Sequence, residues 1–91
     1  TTDLIKCILT NPGHPDAGHF ANELLSEYYE GSDISTLRDL LHNADDRVVA
    51  LGTWIAAELA EASRPLLPDV ERLLRHPLKD VRFWAIECIQ Q

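Results

Sequence analysis

Basic residues are scarce in this chain. Eight Lys and Arg stand against fifteen Asp and Glu, a net charge of −7, and such a chain lacks the cationic face that a phosphate backbone requires. Nucleic acid is therefore not an expected partner. Long apolar runs are missing as well. None approaches the roughly 20 residues of a bilayer-spanning helix, and no basic segment followed by an apolar core marks a signal peptide. Glycines are few (Gly13, Gly18, Gly31 and Gly52) and too scattered to cradle a phosphate. The G-x-S-x-G turn of serine hydrolases is absent. There is no strand-like alternation and no Asn-Gly hairpin turn. Methionine does not occur, which fits either removal of an initiator or excision from a longer chain. Cysteine is limited to Cys7 and Cys88, both at apolar positions of helical patterns near opposite ends. A stacked array holds such ends apart, so two reduced, buried thiols in a cytoplasmic protein are expected.

What the chain does have is a period. Leu37 pairs with Val70, Leu40 with Leu73, Leu41 with Leu74 and Val48 with Val81, always 33 residues apart. Leu51 and Trp84, Gly52 and Ala85, Ile55 and Cys88, and Ala56 and Ile89 continue the register. Repeats of this length are the signature of stacked helical units. Leu4, Cys7 and Ile8 repeat the spacing of Leu37, Leu40 and Leu41. Ala17, Phe20, Ala21, Leu24, Leu25 and Tyr28 match Val48 to Leu59 at an offset of 31, so the first unit is a third copy with a loop expected to be two residues longer.

Punctuation places the helices. A first helix over residues 3–10 is broken by Asn11, Pro12, Gly13 and Pro15, and Asp16 is positioned to cap the second. Gly31 ends that helix, and Ser32-Asp33 caps the third. Asn43, tolerant of left-handed backbone, closes it. Asp45 or Asp46 caps a fourth helix running to about Glu61. Gly52 inside it costs about 1 kcal/mol relative to alanine, so close packing is expected there. Pro65 or Pro68 sits in the first turn of a fifth helix, and a sixth runs from about Lys79. The expected fold is all-α, one domain over residues 1–91, with three antiparallel helix pairs at about 1–31, 32–63 and 64–91. No pair buries its apolar face alone, so neighbours stack around a shared core.

Charge is uneven along the units. Residues 1–31 carry five acids and one base, and residues 32–63 carry six acids and two bases, each net −4. Residues 64–91 carry four acids and five bases, net +1. An acidic body with a basic end favours head-to-tail association or an oriented partner. Phe83 and Ile86 fall off the inward stripe of the last helix, so weak self-association through that helix is a further expectation.

The segments DDRVVALGTWIAAEL and LKDVRFWAIECI resemble the second helix of HEAT-like repeats, as in bacterial small HEAT-repeat and phycobilisome-lyase-like proteins. The shared pattern is an acidic residue, Val, often Arg, and a small residue four after the Val. Asp80-Val81-Arg82 with Ala85 carries it, as do Asp45 and Asp46 with Val48 and Gly52, although Val49 stands where Arg is common. The resemblance implies a short right-handed α-solenoid, with Arg82 reaching Asp45 or Asp46 of the neighbouring unit. It also implies a concave face lined by the second helix of each pair.

No constellation suggests chemistry. His14, Asp16 and His19 lack the further ligands of a metal centre and read as loop and cap residues. His42 and His76 end helices, where partial positive charge suits the dipole. Asp45-Asp46 reads as a cap, not as two separated catalytic carboxylates. The expectation is a non-catalytic module without cofactor or metal that binds a protein partner as adaptor, regulator or immunity-type inhibitor. Candidate contact residues are Glu23, Glu27, Arg47, Thr53, Trp54, Glu58, Arg82, Phe83 and Glu87, since aromatics and arginine dominate interface energetics. Trp54 is open to two placements, interface or core. Alternatives from the resemblance are a lyase-like or chaperone role on a chromophore-bearing protein, a nucleic-acid repair activity, and a piece of a longer repeat scaffold.

Overall fold

Local sequence sets most of the helix boundaries in the computed structural model, which describes residues 2–11 and 13–90. Pro12, expected to help end the first helix, lies outside the described residues. Helix α1 spans Thr2–Thr10 and α2 spans Ala17–Tyr29. Asp16 stands at the start of α2, but its side chain makes no capping bond. Its backbone N–H donates instead to His14 Nδ1 at 3.0 Å. Gly31 ends this segment at φ 109°, a backbone conformation that disfavours any side chain.

The Asp33 carboxylate accepts from the Ser35 N–H at 3.0 Å, opening a 3-10 turn, Ile34–Leu37, that runs into α3, Arg38–Leu41. Asn43 does not adopt the left-handed conformation; among the described residues only Ala60 and Gly31 have positive φ. The Asn43 side chain accepts from the Asp45 N–H at 2.8 Å instead. The Asp45 carboxylate then caps α4, Asp46–Leu59, through the Arg47 N–H at 2.9 Å.

The fifth helical stretch is fragmented. A 3-10 segment, Ala60–Leu66, leads into α5, Leu67–Glu71, and a further 3-10 turn, Arg72–Arg75. Pro65 and Pro68 each remove a backbone donor from the helical ladder. Two such blocks three residues apart leave no room for an α-helical ladder upstream of Pro68. Helix α6, Lys79–Ile89, completes the chain. The described residues contain helices and turns but no strand.

Each helix buries one stripe. Leu24, Leu37, Leu40, Leu41, Ile55 and Leu66 are fully enclosed, with Val48, Val70, Val81 and Ala85. Sequential helices pack in pairs, α1 on α2, α3 on α4, and α5 with its flanking turn on α6. Alternate helices also touch: α2 meets α4, α4 meets α6, α1 meets α3 and α3 meets α5. The principal extents are 29 × 28 × 16 Å, and the short dimension holds about two helix layers at 8–10 Å spacing. Gly52 sits where α4 meets α3: a Cβ there would lie 2.8 Å from Leu40 Cβ.

The first unit differs from the expected register. Ile5 and Ile8 are buried, Leu4 is only half-buried, and Cys7 is exposed. Helix α1 is thus turned by about one residue, because Ile5 and Ile8 form the better apolar edge. They stand 32 residues before Leu37 and Leu40. The connection from Thr10 to Ala17 has six residues between the helices, against four from Leu41 to Asp46, so the first loop is two residues longer, as expected. Cys88 alone is a buried thiol.

The third unit is less covered than the second. Leu41, Thr53 and Ala56 are at 0% exposure, whereas Leu74 and Ile86, one period later, reach 39% and 44%, and Ile89 is half-buried. Unit three covers unit two on this side: the Cys88 thiol of α6 reaches the Ala56 carbonyl at 3.6 Å.

Candidate protein-docking face

Helical spacing puts Arg47, Ala50, Leu51, Trp54 and Glu58 on one face of α4, opposite the buried Gly52 and Ala56. One period later the same positions on α6 are Asp80, Phe83, Trp84 and Glu87; on α2 they are Asp16, His19, Phe20, Glu23 and Glu27. Phe20, Leu51 and Trp84 are all half-buried and pack against the core from outside. They form an apolar row across the three helices, bordered by carboxylates.

A shallow cavity of about 360 Å³ opens along the Leu51 and Trp84 part of this row. Ala17 lines it from α2, with Arg47, Ala50, Leu51 and Trp54 from α4 and Asp80 and Trp84 from α6. Trp54 is half-buried, so its two open placements merge: one part packs on the core and the other lines the groove. Phe83, 51% exposed, stacks edge-on against Trp84 with ring centroids 4.8 Å apart and planes at 79°. Such an edge contact fixes the indole orientation.

The charges around the groove are partly held. Arg47 donates from Nε and Nη2 to the two Asp45 oxygens at 3.2 and 3.0 Å. Hydrogen bonds from the Arg47 side chain and backbone hold the Asp45 carboxyl below the ordinary aspartate value, and the Asp45 carboxylate holds the guanidinium charge in return. Glu23 pairs with His19 at 2.8 Å on an exposed surface. The Glu58 carbonyl accepts from the Tyr29 hydroxyl at 2.8 Å, tying α2 to α4. Glu27 and Glu87 are half-buried.

Two expected contact residues fall elsewhere. Thr53 is completely buried, its hydroxyl donating to the Val49 carbonyl at 2.6 Å, and it offers no surface on this face. Arg82 does not reach Asp45 or Asp46. It folds back to the carbonyls of His76 and Pro77 at 2.7 and 3.0 Å, while His76 meets Asp46 at 3.2 Å. The lining residues missed were Ala17, Ala50, Leu51, Asp80 and Trp84. Leu51 and Trp84 follow Val48 and Val81 by three positions, at the edge of the buried stripe, and that edge position was the available signal.

The opposite layer joins units two and three through a polar cluster. Asp69, with its side chain 15% exposed, accepts from Arg38 Nε at 3.0 Å and lies 2.7 Å from His42 Nε2. Arg72 Nη2 donates to the Leu41 carbonyl at 3.1 Å and to His42 Nδ1 at 3.0 Å. A guanidinium only donates, so Nδ1 accepts and Nε2 carries the proton offered to Asp69. Burial pushes the Asp69 carboxyl up, but bonds from His42 and Arg38 outweigh it and hold the group below its ordinary value. This cluster is a structural joint.

No group of three His, Cys, Asp or Glu among the described residues is arranged to hold a metal ion, and no helix among them is long and apolar enough to cross a membrane. Fold and surface together define an all-helical protein with a shallow, largely apolar groove that Arg47 and Asp80 border. Compared with protein-family models, curated proteins and solved structures, the chain matches none.

Proposed function

We propose that this chain is a non-catalytic protein-binding module, a short right-handed α-solenoid of HEAT-like helix pairs that holds a partner against α2, α4 and α6. The solenoid part rests on the period of 33 residues and on contacts that run within pairs and between successive pairs. The observation that carries the functional part is the groove containing Trp54 and Trp84, with Phe83 beside it. Half-buried aromatics in a recess are the residues that contribute most at protein interfaces. Asp80 in the lining and the net charge of −7 select a partner segment with an apolar anchor flanked by Lys or Arg.

The test is a titration of basic, aromatic-containing peptides followed by tryptophan emission, since both tryptophans of the chain line the groove. A saturable change is expected, with affinity reduced at least about tenfold by Trp54→Ala, as for a residue of moderate interface importance. Equal binding by wild type and Trp54→Ala would remove the groove from consideration.

A further inference from the structure

The geometry points to head-to-tail self-association, in which the uncovered outer side of unit three docks on unit one of a second copy of this chain. The tail face is defined by what the repeat leaves bare. Thr53 and Ala56 of α4 are fully buried, while at the same positions of α6 Ile86 is exposed and Ile89 only half-buried. Below them, between α5 with its flanking turn and α6, lies a cleft of about 600 Å³ lined in part by Leu74, Arg75 and Ile89. A surface that one unit covers on its neighbour is shaped for a unit of the same kind.

The head face is the side of unit one that carries Phe20. Phe20 is the counterpart of Trp84, which in unit three lies at the joint with α4. Beside Phe20 is a largely apolar recess of about 300 Å³ lined by Lys6, Cys7, Thr10, Asn11 and His14, so the acidic groups of this face are those of α2, not of the recess. Glu23 and Glu27 project from the same side of α2.

Charge chooses between the ways two copies meet. The first unit is net −4 and the third net +1 with five bases, among them the exposed Arg75 and Lys79 at the tail. Head against head brings two acidic units together. Tail against head sets basic side chains and the Ile86 ridge against Glu23, Glu27 and the recess beside Phe20. The contact is heterologous, so each added copy presents a fresh tail and growth does not close at a dimer.

Light scattering of the full chain across concentration tests this. The average mass should rise above the 10.2 kDa monomer without a plateau at twice that value, and salt should lower it, because exposed charges are screened. Two variants separate the ends: Ile86→Asp blocks the tail, and Glu23→Lys with Glu27→Lys blocks the head. Each alone should be monomeric with an unchanged circular dichroism spectrum. Mixed, they should form a one-to-one pair that grows no further, with an association constant at least about tenfold above that of either alone. Arg75→Glu, at an exposed position, serves as a second tail block should Ile86→Asp lose its fold. A wild-type chain that stays monomeric, a plateau at the dimer, or a mixture of folded variants that fails to pair would each overturn the proposal.

Discussion

One added methyl group at Gly52 probes the close approach of α4 to α3. Alanine there recovers about 1 kcal/mol of helix propensity, so propensity alone favours the substitution. Packing opposes it. The new Cβ would stand 2.8 Å from Leu40 Cβ and 3.4 Å from the Leu40 carbonyl carbon and the Leu41 nitrogen. These atoms belong to the α3 backbone or are fixed directly to it, so no side-chain rotation relieves the contact and α3 itself must shift. Overpacking of a dense core costs about 1–3 kcal/mol, and a backbone obstacle places this case toward the upper end. The net expectation is a loss of about 1–2 kcal/mol. In a domain of this size each kcal/mol moves Tm by roughly 4–8 °C, so Gly52→Ala should melt roughly 4–16 °C lower by far-UV circular dichroism. Gly18→Ala is the matched control. Nothing lies within 4 Å of a Cβ at that position, and the variant should gain up to about 1 kcal/mol. A Gly52→Ala protein as stable as wild type would refute the close packing of α4 on α3.

Other perturbations follow from particular residues. Ala60 holds φ 52° and ψ −120°, a region in which a Cβ is strained; Ala60→Gly should gain about 1 kcal/mol, read as a higher urea midpoint. Asp69→Ala removes the acceptor shared by Arg38 and His42 and should lose about 1–2 kcal/mol, as for charge-assisted hydrogen bonds with partial solvent access; an unchanged urea midpoint would show that the cluster does not brace units two and three. Acid should unfold the protein progressively. Asp69, Asp45 and Asp33 all titrate below their ordinary 3.8 in the folded chain, so below that value the unfolded state binds more protons than the folded one. The stability these groups contribute is complete above about pH 4 and is lost as pH falls through their folded values. A denaturation series from neutral pH downward checks this, and stability that stays constant below pH 4 would contradict it.

The helices themselves were legible because Gly31, Asp33, Asp45 and Pro68 act locally, through backbone angles and caps that need no tertiary context. Gly52 was legible for a related reason: a glycine inside a strong helical pattern demands a packing explanation, and Leu40 supplies it. The rotation of α1 was not. Leu4, Ile5, Ile8 and Leu9 offer two overlapping apolar edges, and only contact with the rest of the core selects Ile5 and Ile8. Thr53 was misplaced for a similar reason, since a single hydroxyl on a helix reads as solvent-facing until its bond to the Val49 carbonyl and its full burial are seen. The groove lay between these cases. Trp54 and Phe83 stood out as off-stripe aromatics, but Leu51 and Trp84 sit at the stripe's edge, where periodicity does not say whether a side chain is covered. Arg82 failed by proximity: two carbonyls a few residues upstream were nearer than any carboxylate of the next unit.

The two thiols also form a built-in clock. Cys7 is exposed, while Cys88 is buried between the Ala56 carbonyl and the Ser63 hydroxyl, which lies 3.3 Å from its sulfur. A thiol reagent therefore meets one site at once and the other only when α6 lifts from α4. The first modification calibrates reagent access, and the second reports how often the last unit detaches. If units open one at a time from an end, Cys88 labelling should outpace global unfolding; if the stack comes apart as a whole, the two rates should coincide.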